Sequence, residues 1–447
     1  MNRKLVLIMT LTLLVGVLNL AFNVQRAKAS GTIYIRADGS IAPPDAPIST
    51  VDNVTYTLTG NVTSDADGIV VERDNIEIDG AGYTLQGTGS GRGVDLSGRT
   101  NVTVRNTQIE NFYHGVRLSW SSANSIVGNS IANNIVGIGF WESSYNGIRG
   151  NNIKNNGYGI EFKGSTYNSI AENNIITNDG YGIWLVRSFN NIISGNIIAN
   201  NSHGIRLEDS RYNSIKGDTL TANNFFGISF EYYSFDNNFY HNNFIHNTGQ
   251  IDGYSVNVWD DGYPSGGNYW SDYIGTDSNH DGIGDSNYTI DANTNDRYPL
   301  MGMFSSFNTS IGCNVDAISN STIDDFEYFE SNDTIVMHVS NTTSNQTFGF
   351  IRICIPHALM NETYHVTIDG AEPYYVNYTL YDNGTHRWIY FSYQHSTLEI
   401  IIIPEFPSFL ILPIFMIATL LAVIVYRRKH ALDNSAVHPS EITNPSM

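Results

Sequence analysis

Residues 137–158 read GIGFWESSYNGIRGNNIKNNGY and residues 159–181 read GIEFKGSTYNSIAENNIITNDGY, followed at once by Gly182-Ile-Trp-Leu185. Both lines carry one frame: G-I-x-[LF], then a Y-N-S-I-x-G-N-x-I type run, then an Asn-rich turn. The frame continues outward to Gly115-Val-Arg-Leu118 and Gly93-Val-Asp-Leu96 on one side, and to Gly204-Ile-Arg-Leu207 and Gly227-Ile-Ser-Phe230 on the other. From Gly93 onward the steps between glycines are 22, 22, 22, 23, 22 and 23 residues, with Gly68-Ile-Val-Val71 as a looser coil before them. A fixed period of this length is the mark of a stacked repeat architecture.

The apolar residues fall into files. Val116, Ile138, Ile160, Ile183, Ile205 and Ile228 hold the first position, and Leu118, Phe140, Phe162, Leu185, Leu207 and Phe230 stand two residues on. Ile126, Ile148, Ile170, Ile193 and Ile215 form another file, and Ile131, Ile153, Ile175, Ile198 and Leu220 a further one. Within each run the alternation has period two, which is strand rather than helix. The L-x-x-L-x-L frame of a leucine-rich repeat is absent. The expected fold is all-β: a right-handed parallel β-helix of about 22-residue coils, three short strands to a turn. Asparagines also recur in register, Asn124, Asn146, Asn168, Asn191 and Asn213 in one file and Asn129, Asn151, Asn173 and Asn196 in another. They are expected to occupy left-handed turns and to hydrogen-bond from coil to coil.

The ends carry different signals. Arg3 and Lys4 precede an apolar run from Leu5 to Phe22, and Ala27-Lys28-Ala29 fits a peptidase site, so 1–29 reads as a signal peptide. Phe409 to Tyr426 is apolar apart from Thr419 and is followed by Arg427, Arg428 and Lys429, which predicts a C-terminal transmembrane helix. Between the ends the expected order is an N-terminal cap (30–67), the repeats (68–250), a C-terminal cap with an Asp-rich loop (251–302) and a β-sandwich spacer (303–403). A membrane anchor or sorting signal (404–430) and a cytoplasmic tail (431–447) complete it. The sandwich rests on alternating runs at 334–339, 350–355, 364–368, 388–393 and 398–403, separated by Gly and Asn turns.

A net charge of −20 with only 23 Lys and Arg excludes nucleic acid as a partner. Two cysteines, Cys313 and Cys354, exclude a disulfide framework. N-x-[ST] sequons crowd both flanks of the repeats, whereas between 102 and 286 only Asn200 fits, so asparagine serves another purpose in the coils.

The repeat, together with Gly68-Ile-Val-Val71 and Ile76-Glu-Ile-Asp-Gly80, resembles the NosD-type β-helix family, within the wider group of carbohydrate-binding and sugar-hydrolase (CASH) coils. The segments Trp259-Asp-Asp-Gly-Tyr-Pro-Ser-Gly-Gly-Asn-Tyr-Trp-Ser-Asp272 and Asp296-Arg-Tyr-Pro-Leu300 are similar to the closing segment of its archaeal members. Pro404-Glu-Phe-Pro407 resembles a PEF-type sorting signal, and 303–403 resembles the β domains that precede such anchors. The likeness covers about 30–302 and implies a fold, not an activity. Copper handling, known in one branch of the family, is disfavoured: no methionine lies between Met9 and Met301, so thioether ligands are missing.

Three sets of residues could carry chemistry. Asp277, Asn279, Asp281, the Ile283 carbonyl and Asp285 have the spacing of a calcium loop around Gly282, which would lock the C-terminal cap. Arg117, Gly139, Glu161, Trp184, Arg206 and Ser229 form one outward file of the first strand; Ser119, Trp141, Lys163, Val186, Glu208 and Glu231 form the next. Glu208 and Glu231, one coil apart, are the candidate catalytic carboxylates. Trp141, Glu161, Trp184 and Arg206 are the candidate glycan contacts, with Tyr145, Tyr167 and Tyr212 as flat platforms beside the Asn file. The leading expectation is a non-enzymatic, surface-anchored module that binds an extracellular glycan or cell-envelope component. A polysaccharide-active hydrolase, lyase or epimerase is the second reading, and a copper-handling accessory protein the third.

Overall fold

The computed structural model describes residues 31–360, 364–394, 396–405 and 419–426. The expected signal peptide and cytoplasmic tail lie outside these residues, as does most of the predicted membrane span. Residues 419–426 are helical, and among the described residues no helix is long and apolar enough to cross a membrane.

About ten coils build a right-handed parallel β-helix with three sheets along its axis. One sheet has the longest strands, among them His114–Ser119, Val136–Trp141, Tyr158–Lys163, Tyr181–Val186, His203–Glu208 and Phe226–Glu231. The register is the one the repeat predicts. Ile138, Ile160, Ile183, Ile205 and Ile228 pair in line, as do Ile126, Ile148, Ile170, Ile193 and Ile215 in the second sheet. Ile131, Ile153, Ile175, Ile198 and Leu220 do so in the third. All are buried in one core, and each contributes about 1.5–3 kcal/mol by leaving water. Parallel pairing begins before the glycine frame, at Ile33–Ile35, and runs past it to Tyr269–Trp270 and a bridge from Tyr269 to Leu300.

The repeated glycine has a steric reason. A Cβ on Gly137 would stand 2.5 Å from the Gly159 carbonyl oxygen, and one on Gly159 would stand 2.4 Å from that of Gly182. Adjacent coils approach too closely there for any side chain.

The asparagines form ladders. Asn168 Oδ1 accepts from the backbone N–H and from Nδ2 of Asn146, at 2.9 and 3.0 Å. Its own Nδ2 donates to the carbonyls of Ser143 and Thr166 and to Asn191 Oδ1. A buried amide is thereby satisfied on both sides, which low-dielectric surroundings require. Two further ladders escaped the sequence reading: Asn134, Asn156, Asn178, Asn201, Asn223 and Asn247, and the serines 121, 143, 165, 188, 210 and 234. One expectation is corrected. The left-handed residue is not the ladder asparagine but the residue before it, such as Tyr145 (φ 61°), Tyr167 (φ 57°), Glu172 (φ 56°) and Tyr212 (φ 58°). The ladder bonds stabilise the corner enough to hold even tyrosine in that conformation.

Both ends are closed. Short antiparallel strands, Ile41–Ala42 and Ile48–Ser49, cover the first coil. At the other end Phe244, Trp270 and Tyr288 stack at 4.2 and 4.1 Å, and Trp259 lies on Phe239 at 4.5 Å. Asp296 ends an asparagine ladder: its Oδ2 accepts from the Asn268 N–H and Trp270 Nε1, and its Oδ1 from the Tyr298 N–H. The Trp259–Asp272 and Asp296–Leu300 segments are therefore the plug that keeps water from the last coil.

Contacts divide the chain into two compact units. The first ends at Ser306 and takes in Asp316–Asn320; the second comprises Phe307–Val315 and the chain from Ser321 onward. In the second, Thr322–Phe329, Thr334–Ser340, Leu398–Pro404 and Tyr364–Ile368 pair antiparallel in that order. Phe348–Pro356, His386–Gln394 and Tyr375–Asp382 pair antiparallel in another sheet. The runs at 322–329 and 375–382 were not anticipated, because their strands are largely exposed and lack a clean alternation.

Candidate functional site

The outward face of the long-strand sheet gathers the charged and aromatic residues that the interior cannot accept. Gly115, Gly137, Gly159 and their equivalents interrupt the strict alternation, so the residue ahead of each glycine also turns outward. A third file results: His114, Val136, Tyr158, Tyr181, His203 and Phe226, paired in register along much of its length. The sequence reading missed this file; the signal was an aromatic or histidine before nearly every repeat glycine.

Trp141, Glu161, Trp184 and Arg206 come together on successive coils. Glu161 pairs with Trp184 and Trp184 with Arg206, while Trp141 pairs with Lys163. The Trp141 ring lies across Gly139, where a Cβ would stand 2.8 Å from its Cζ3. The guanidinium of Arg117 lies over that ring at 4.1 Å and the ammonium of Lys163 at 4.9 Å. Lys163 also reaches Glu161 at 2.8 Å, a carboxylate whose side chain is only 5% exposed. Trp184 packs beside Tyr158 and Tyr181, at 5.4 and 5.3 Å between centroids, and Arg206 lies over Tyr181 at 5.0 Å.

Glu208 and Glu231 are neighbours in register on adjacent coils. Their environments differ: Glu231 is ion-paired with Arg206, whereas Glu208 has no cation partner among the described residues. A retaining pair needs one protonated and one free carboxylate, and of these two it is Glu231 that has a guanidinium beside it.

Four buried polar atoms on this face have no hydrogen-bond partner: His114 Nε2, Trp184 Nε1, Arg206 Nε and Ser229 Oγ. Burial, together with Arg117, Arg92 and Lys163 nearby, pushes the His114 imidazole down to about 3, so it is neutral in any ordinary medium. Burial and Arg206 lower His203 as well.

The tyrosines beside the asparagine ladder are exposed, and Tyr145 stacks on Tyr167 at 5.2 Å and 5°. In the Asp-rich loop the carboxylates fold the loop upon itself. Asp277 accepts from the N–H groups of Asp281 and Gly282, Asp281 from that of Ile283, and Asp285 from that of Ser278. Asn279 Nδ2 donates to Asp281 Oδ2 at 3.2 Å. Burial raises the Asp277 carboxyl, and the Ser278 N–H lowers that of Asp285. Among the described residues no group of three or more His, Cys, Asp or Glu is arranged to hold a metal ion.

Residues 61–275 match the family described as "Periplasmic copper-binding protein (NosD)". The match covers just under half of the chain and falls on the coils. No curated protein matches the chain. Solved structures similar to this chain include DFA-IIIase from Arthrobacter chlorophenolicus A6, at 14% identity over 44% of this chain and 51% of that one, TM-score 0.34. The chain thus spans about half of that enzyme's length. The A-module of mannuronan C-5 epimerase AlgE4 from Azotobacter vinelandii is 14% identical over 46% of this chain and 73% of its own, TM-score 0.35. The Dettilon tailspike protein is 14% identical over 83% and 93%, TM-score 0.35. Likeness at this level concerns the coil architecture alone.

Proposed function

We propose that the chain is an exported, cell-surface module that binds a glycan along the outward face of its long-strand sheet, without cleaving it. The observation that carries this reading is the row of four buried, unpartnered polar atoms among Trp141, Trp184, Tyr158 and Tyr181. Each such atom costs about 1–3 kcal/mol while it lacks a partner, and sugar hydroxyls supply partners while aromatic rings take the sugar's apolar faces.

The test is a panel of soluble polysaccharides scored for both retention and product. Trp184→Ala should weaken retention roughly tenfold or more, as loss of a buried aromatic contact does, with no product from either protein. Depolymerisation that Glu208→Gln abolishes would replace this reading with the enzymatic one.

The copper description of the family does not fit the donors in this chain. His114, His203 and His241 stand on separate coils; His114 packs on Trp141, His203 on Tyr181, and His241 on Phe304 while bonding the Ser265 carbonyl. The coils hold no methionine.

For the Asp-rich loop we propose a structural Ca²⁺, supported by the ligand spacing of Asp277, Asn279, Asp281, Ile283 and Asp285. Calcium should raise the melting temperature of the wild type and leave that of Asp281→Ala unmoved. Equal melting of the wild type with calcium and with chelator removes the ion from the reading.

A further inference from the structure

We propose that the Arg117 end of the outward face holds the anionic group of an acidic glycan; this rests on the reading that the face binds glycans and deepens it to a substrate class. Of the cations on this face, Arg92 pairs with Asp95, Lys163 with Glu161 and Arg206 with Glu231. Among the described residues Arg117 alone of these has no carboxylate within ion-pair distance, with Asp95 and Glu161 the nearest to act on it. It is nonetheless held in place: its guanidinium lies 4.1 Å over Trp141, and its Nε donates to Ser119 Oγ at 3.1 Å. A guanidinium that is stacked and pinned through Nε presents its terminal nitrogens as a preformed fork for a carboxylate or sulfate.

A second observation marks the same spot. His114 is 5% exposed, and its unpartnered Nε2 packs over Gly139, 3.4 Å from where a Cβ would sit. The Trp141 ring covers the same glycine, at 2.8 Å from that position. Three groups therefore converge around Gly139: a cation with no carboxylate within ion-pair distance, a neutral ring nitrogen without a partner and an indole. The opposite end carries Glu208, with no cation partner among the described residues, and Asp252 in register with Ser229. The face is thus positive toward its N-terminal coils and negative toward its C-terminal ones. On a chain of net charge −20, an acidic ligand is admitted at one end only, which sets its direction along the coils.

The test uses the full chain and calorimetry with two probes of equal length, an oligogalacturonate and a cello-oligosaccharide, with inorganic sulfate as competitor. Arg117→Gln should weaken the uronate roughly tenfold or more while leaving the neutral probe within about twofold, as loss of one charge-assisted fork does. Arg117→Lys should fall between, since it keeps the charge and loses the fork; it carries the comparison if Arg117→Gln melts early. Added salt should weaken the uronate on the wild type more than on Arg117→Gln. Unchanged uronate affinity in Arg117→Gln, or sulfate alone binding as tightly as the oligomer, overturns the proposal while neutral-probe binding keeps the glycan reading standing. If neither probe binds the wild type, both fall.

Discussion

Replacing Asn168 by alanine should destabilise the β-helix by about 3–5 kcal/mol, as much as any other rung with the same set of hydrogen bonds. The side chain makes five hydrogen bonds, two accepted from Asn146 and three donated to Ser143, Thr166 and Asn191. Removing it leaves the buried N–H of Asn146 without its acceptor, and an orphaned buried donor costs about 1–3 kcal/mol by itself. The lost rung also interrupts a ladder in which each amide polarises the next. Because each coil is stabilised only by its neighbours, the damage should centre on the coils around it. Hydrogen exchange should show protection lost first around residues 143–191, and the urea midpoint should fall. Wild-type protection there would mean that the backbone ladder alone holds the corner.

Asp218 should make the wild type lose stability as pH rises, and Asp218→Asn should abolish that loss. Asp218 occupies a rung otherwise held by asparagine, between Asn196 and Asn242. Its Oδ1 accepts from the N–H and Nδ2 of Asn196, at 2.7 and 2.8 Å. Its Oδ2 stands where the amide nitrogen of other rungs donates, and it is buried with no partner. Burial raises this carboxyl from the ordinary 3.8 to about 7. The folded state therefore holds a proton that the unfolded chain gives up near pH 4. Stability is intact below that value, falls as pH rises through about 7, and is level beyond. A shift of this size corresponds to about 4 kcal/mol between the two plateaus. Asp218→Asn restores the donor and removes the charge, so it should match the wild type in acid and exceed it by up to that amount at pH 8. Asp296, also raised to about 7 by burial, is common to both proteins and cancels in the difference. Chemical denaturation of the pair at pH 4.5 and 8 is the measurement, and parallel pH profiles would refute the assignment.

Both expectations depend on a ladder that the sequence shows only in part. The file through Asn124 and Asn168 and the file through Asn129 and Asn173 stand out because asparagine recurs at the repeat interval. The file continues through Asp218 to Asn242 and Asn268, and the repeat frame carries no mark that an acid there lacks a donor. The serine ladder is quieter still, since serine is common in any turn.

The repeat interval, the inward isoleucines and the alternation of the first strand determined the β-helix, its register and two of the three outward files. These properties are local and periodic: a residue's distance from the next glycine decides which way it points. Tertiary structure alone decided that Arg206 is neutralised by Glu231, that Trp141 lies across Gly139 under Arg117, and that Asp296 closes the last coil against Asn268 and Trp270. Each depends on side chains from different coils, or from the aperiodic cap, meeting in space. Their charges and rotamers are set by neighbours that no interval in the chain specifies.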